Sequence, residues 1–131
     1  MEYLIALILL GLAISFTYDA LAVLRASGSQ GVGNETGTGV EVGPTGLVKA
    51  VVHATVVGGT LAVHLEGSSA LAGTYYDIPG GAFLNPTDGA TIDAAGKYEI
   101  YIKTDHKFIR TYSTVASSAA TWECFLSTAE K

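Results

Sequence analysis

His53 and His64 are the side chains in this sequence best placed to do chemistry together. They sit in two alternating stretches, Leu47 to Val57 and Thr60 to Glu66, separated by Gly58-Gly59. A two-residue glycine turn pairs Val57 with Thr60 and sets His53 directly opposite His64 on the outer face of a hairpin. Two facing imidazoles could hold a metal or respond to pH. The nearby sequence supplies no third ligand, although a symmetry mate could, so the pair reads as polar surface and no metal site is expected.

The other reactive residue types lead to no active site. Cys124 is the only cysteine, which rules out an internal disulfide and a thiolate metal cluster. It shares one side of a predicted final strand, Thr121 to Ser127, with Trp122 and Leu126, and so reads as a small buried hydrophobe. Asp77, Asp88, Asp93 and Asp105 lie near turns, where short carboxylates cap backbone donors, and no EF-type spacing of oxygens accompanies them. The serines and threonines lack a Gly-x-Ser-x-Gly elbow. Gly31-Val32-Gly33 lacks the Lys-Ser/Thr of a phosphate loop. No catalytic residue, cofactor or metal is therefore expected, and the chain does not read as an enzyme. A glycan-binding surface would draw on Tyr75, Tyr76, Tyr101 or Tyr112, but tyrosine is also an ordinary strand residue. The net charge of −5 has no basic cluster behind it, since seven Lys and Arg are scattered from Arg25 to Lys131, so no nucleic-acid partner is expected.

The elements that carry these residues are strands. Gly makes up 16 of 131 residues and charged residues only 15%, amid abundant Val, Thr, Ala and Tyr, a composition suited to short strands with glycine turns. In the first stretch Val48, Ala50, Val52, Ala54 and Val56 form an inward face, met across the predicted hairpin by Leu61, Val63 and Leu65. A second hairpin is predicted from Lys97 to Lys103, with Tyr98, Ile100 and Ile102 inward, returning as Phe108 to Val115. It places Ile102 opposite Ile109 and Tyr101 beside Arg110. Tyr75 to Gly81 and Ala82 to Asp93 add edge strands and loops. About seven strands at this spacing predict an all-β sandwich or jelly roll over residues 47–131. Residues 26–46, rich in Gly, Ser and Thr, read as a linker with room for a short strand at Val40 to Val42.

The segment ahead of that body is very different. Residues 3 to 16 run almost unbroken through Leu4, Ile5, Leu7, Ile8, Leu9, Leu10, Leu12, Ile14 and Phe16. Glu2 is the only charge before Asp19, which argues against a cleaved secretory signal, and 14 residues fall short of the roughly 20 that span a bilayer. Extended through Ala20 to Leu24, the segment predicts one hydrophobic helix over residues 1–25, apolar on nearly every side. A patch of that size is normally buried against a partner or lipid, so these nine residues are the expected assembly interface.

Tyr18 to Gln30, Leu47 to Val52, Thr60 to Glu66, Tyr75 to Gly81 and Ala94 to Asp105 with Phe108-Ile109-Arg110 together resemble small structural proteins of tailed-phage virions. The resemblance spans roughly residues 18 to 126. It implies a compact β-sandwich that decorates or cements a capsid and has no enzymatic activity. Residues 1–16 depart from that pattern. They suggest a second resemblance, to pilin-like subunits whose N-terminal helix packs in a filament core while the β domain faces outward, although Ile5 stands where the usual type IV pilin carries Glu. The sequence thus predicts a self-assembling structural protein located in a virion or, alternatively, in an extracellular surface filament. Its expected partners are copies of itself, with capsid protein or viral lipid as further candidates.

Overall fold

The computed structural model describes residues 20–42, 46–85 and 89–127. Nine strands occur among them: β1 (Ala20–Gln30), β2 (Gly33–Thr36), β3 (Val40–Glu41), β4 (Gly46–Val57), β5 (Thr60–Ser68), β6 (Tyr76–Phe83), β7 (Gly96–Thr104), β8 (Phe108–Ala116) and β9 (Ala120–Ser127). They form two antiparallel sheets. The first has the order β1-β9-β4-β7, and the second runs β2-β8-β5-β6 with β3 also paired to β8.

That order is a long antiparallel ribbon rolled up on itself. β1 pairs with β9, β2 and β3 with β8, β4 with β7, and β5 with β6, while β9 to β4 and β8 to β5 contacts complete the two sheets. This is jelly-roll connectivity, and it confirms the expected all-β sandwich. Period-two alternation fills the space between the sheets. Val48, Ala50, Val52 and Ala54 from β4 meet Tyr98 and Ile102 from β7 and Trp122, Cys124 and Leu126 from β9. The opposing layer supplies Leu61, Val63, Leu65, Phe83, Ile109 and Val115.

Several expectations are corrected by the pairing. β4 and β5 lie in different sheets, so Gly58-Gly59 carries the chain across the sandwich instead of closing a hairpin. β7 and β8 are likewise in opposite sheets, and residues 105 to 107 connect them. Both predicted hairpins rested on alternation, which identifies the buried face of a strand but not its neighbour. The ribbon sends nearly every consecutive strand to the opposite sheet, and a strand there buries the same residues as a hairpin partner would. Val56 was expected inward but is 54% exposed. The β4–β9 register shifts between Ala54 and Val56, and that bulge reverses the alternation.

The predicted helix over residues 1–25 falls on residues 1–19, outside the described part, and on Ala20 to Arg25, which belong to strand β1. The predicted linker 26–46 contains the rest of β1 together with β2 and β3. Sheet pairing supplies the reason. Arg25, Gly28 and Gln30 oppose Cys124, Trp122 and Ala120, so β9 holds as a strand a stretch too polar to bury itself.

Candidate functional site

The rolled topology separates the two histidines. His53 on β4 lies between Lys97 and Glu123 on the neighbouring strands, and its Nδ1 is 3.2 Å from Glu123 Oε2. His64 belongs to β5 in the other sheet, opposite Tyr112 of β8 and Ala82 of β6. The facing imidazole pair expected from the sequence does not form, because its hairpin does not.

His64 instead joins a cluster of charged side chains. Its Nε2 lies 3.1 Å from Asp77 Oδ1 and 3.5 Å from Glu66 Oε2. Glu66 is fixed from its other side by Arg110, whose Nε donates to Oε1 at 2.8 Å. The Arg110 guanidinium lies 4.0 Å from the centre of the Tyr75 ring. The Tyr112 ring lies 5.1 Å from the imidazole. The local chain explains this grouping. His64 and Glu66 are two residues apart on β5 and share its outward face, and Asp77 is the β6 residue directly opposite Glu66.

Between the Glu66–Asp77 and His64–Ala82 pairs, β5 advances two residues and β6 advances five. Ile78 to Gly81 thus face only Leu65 and leave the regular ladder at Pro79-Gly80, where Gly80 takes a positive φ of 76°. This irregularity opens a shallow cleft of about 450 Å³ lined by His64, Asp77, Ile78, Gly80, Gly81, Ala82 and Leu84.

The nine expected assembly residues, Leu4, Ile5, Leu7, Ile8, Leu9, Leu10, Leu12, Ile14 and Phe16, lie outside the described residues. What the structure does show is an apolar row near the point where the described chain begins. Val23 of β1, Phe125 of β9 and Val51 of β4 are successive register partners on the face turned away from the core. Val23 is 58% exposed, whereas Phe125 and Val51 retain only 5% and 3% of their surface. Strict alternation assigned Val51 to the solvent side, so its burial was not anticipated.

Cys124 lies in the core, and burial pushes its thiol pKa well up, with the Arg25 charge opposing weakly. A thiol held protonated in an apolar interior is a poor nucleophile. The four tyrosines considered for glycan binding are divided between the sheets. Tyr101 is on β7, while Tyr76 and Tyr112 are on β6 and β8 and Tyr75 precedes β6. Tyr101 does not stack on Arg110, which is engaged by Tyr75 and Glu66. Sequence reasoning missed Glu66 and Asp77 as partners of His64, and Arg110 as the partner of Glu66. The His64-x-Glu66 spacing on an alternating strand was a usable signal, but Asp77 was read as a turn residue and lies in β6.

No protein-family model matches this chain, and no curated protein does. Solved structures similar in shape at low identity include the following. The SPBc2 prophage-derived protein YomS has 11% identity and a TM-score of 0.47, covering 80% of this chain and 89% of its own. PirA has 12% identity and a TM-score of 0.44, covering 77% and 91%. The Yersinia pseudotuberculosis-derived mitogen has 16% identity and a TM-score of 0.37, covering 82% and 89%.

Proposed function

We propose that this protein is a non-enzymatic structural subunit that assembles with copies of itself, its jelly-roll body presented on the assembly and its apolar N-terminal run forming the contact. The supporting observation is that the described residues build a core of their own. Buried residues from Leu24 to Leu126, contributed by both sheets, pack into one continuous cluster. The run from Tyr3 to Phe16 is 14 residues of almost unbroken apolar sequence, and such a run favours association.

A place on a phage virion, as a decoration or cement subunit, is the form of this reading we favour. Jelly rolls recur in viral shell proteins but also in lectins and cupins, so the fold agrees with that placement without selecting it. In the filament alternative the same run packs in a filament core with the β domain facing outward, and β1 begins at Ala20, after that run.

Deleting residues 1–16 tests the reading. The expected product keeps the β-sheet circular dichroism and the cooperative unfolding of the full chain but no longer assembles. An unfolded product would instead show that the run belongs to the body's own core, and a folded product that still assembles would remove the run from the contact.

A further inference from the structure

We propose that His64, Glu66 and Asp77 form a binding site for one divalent transition-metal ion of the zinc class at the rim of the β6 cleft. The site involves residues outside the proposed assembly contact and stands independently of it.

One ligand atom from each of the three side chains lies within 4.8 Å of the others, and the two separations from His64 Nε2 are 3.1 and 3.5 Å. A tetrahedral zinc ion with bonds of roughly 2.0 to 2.1 Å holds its ligand atoms about 3.3 to 3.4 Å apart. The two separations from Nε2 fall on either side of that edge length and the carboxylate oxygens lie within 4.8 Å of each other, so side-chain adjustments draw the three atoms onto an ion.

Glu66 and Asp77 are direct cross-strand partners, and like charges in that position repel unless a cation lies between them. Arg110 meets this need only for Oε1 of Glu66, leaving Oε2 turned toward His64. With two carboxylates and one guanidinium at the site, the local charge is −1 when the imidazole is neutral, and a divalent ion reverses it.

Arg110 fixes the Glu66 carboxylate and is itself set against Tyr75, while the Tyr112 ring lies beside the imidazole. Such outer contacts orient metal ligands. Asp77, at 78% side-chain exposure, and the adjoining cleft leave the remaining coordination positions open to water or to a ligand's donor atom. One imidazole with two carboxylates favours zinc, manganese or cobalt over calcium and magnesium, which prefer all-oxygen sites.

Calorimetric titration of the untagged full chain with zinc sulfate tests this. The expected result is uptake of one ion per chain, abolished in His64→Ala and strongly weakened in Asp77→Asn, a substitution at an exposed position that leaves the circular dichroism unchanged. His53→Ala should bind as the parent does. Cobalt should bind with the same dependence on His64 and give a visible absorption band. Absence of uptake at millimolar zinc would overturn the proposal. So would uptake that survives both His64→Ala and Asp77→Asn, or that is lost in His53→Ala or His106→Ala instead.

Discussion

The indole Nε1 of Trp122 donates a hydrogen bond to Oε1 of Gln30 at 3.0 Å, and the same oxygen accepts Ser113 Oγ at 2.9 Å. Trp122 belongs to the first sheet and Ser113 to the second, so one buried amide ties the two layers together. Arg25 reinforces this end of the sandwich. It lies 4.4 Å from the centre of the Trp122 ring, donates to the Trp122 carbonyl at 2.6 Å and pairs with Glu35 at 2.7 Å.

Gln30→Ala is expected to destabilise the body by about 1–3 kcal/mol, because it leaves the buried Trp122 indole N–H without its acceptor and Ser113 Oγ with only the Glu35 carbonyl at 3.3 Å. Chemical denaturation followed by Trp122 fluorescence measures this. A loss well under about 1 kcal/mol would show that water replaces the amide.

Gly59 makes the crossing between β4 and β5 feasible. A Cβ there would lie 2.1 Å from the Ala116 carbonyl oxygen, a backbone atom held in the β5–β8 ladder. Gly59→Ala is expected to cost roughly 1–3 kcal/mol through displaced backbone, read as a lower midpoint in the same denaturation experiment. The crossing itself is short for a simple reason. Three extended residue steps from Val57 to Thr60 span about 10–11 Å, close to the ~10 Å that separates packed sheets.

Much of the body was legible in the sequence, and the losses share one cause. The inward residues of β4 up to Ala54, of β5, of β7 and of β9 follow from alternation alone, because one face of each strand is buried whichever strand lies beside it. Pairing partners were not legible. Gly58-Gly59 suits a tight turn and a sheet crossing equally, and only the closed ribbon decides between them. Gln30 shows the same limit in a polar stretch: its role depends on Trp122 and Ser113, 92 and 83 residues away. At the candidate metal site, His64 and Glu66 were visible as neighbours on one face. Asp77 was not, because it reaches them through the β5–β6 pairing.

Cys124 is expected to resist thiol reagents in the folded protein. Its thiol is buried, and burial raises its pKa, so the reactive thiolate is scarce at neutral pH. Disulfide-exchange labelling should proceed only at the rate of unfolding and become fast in denaturant. Rapid labelling of the native chain would contradict the placement of β9 in the core.

The outer-face row links the body to the proposed contact. Val23→Lys would place a charge on β1 beside Phe125. If this face takes part in association, the substitution should lower the assembled fraction while shifting unfolding by less than about 0.5 kcal/mol, as expected for an exposed site. Unchanged assembly would confine the contact to residues 1–16.

Self-assembly is read from the mass of the full chain in solution. One chain is 13.5 kDa. Sedimentation velocity at neutral pH and micromolar concentration is expected to show particles at multiples of that mass that dissociate when residues 1–16 are removed. A full chain that sediments as a stable monomer across that concentration range would contradict the account.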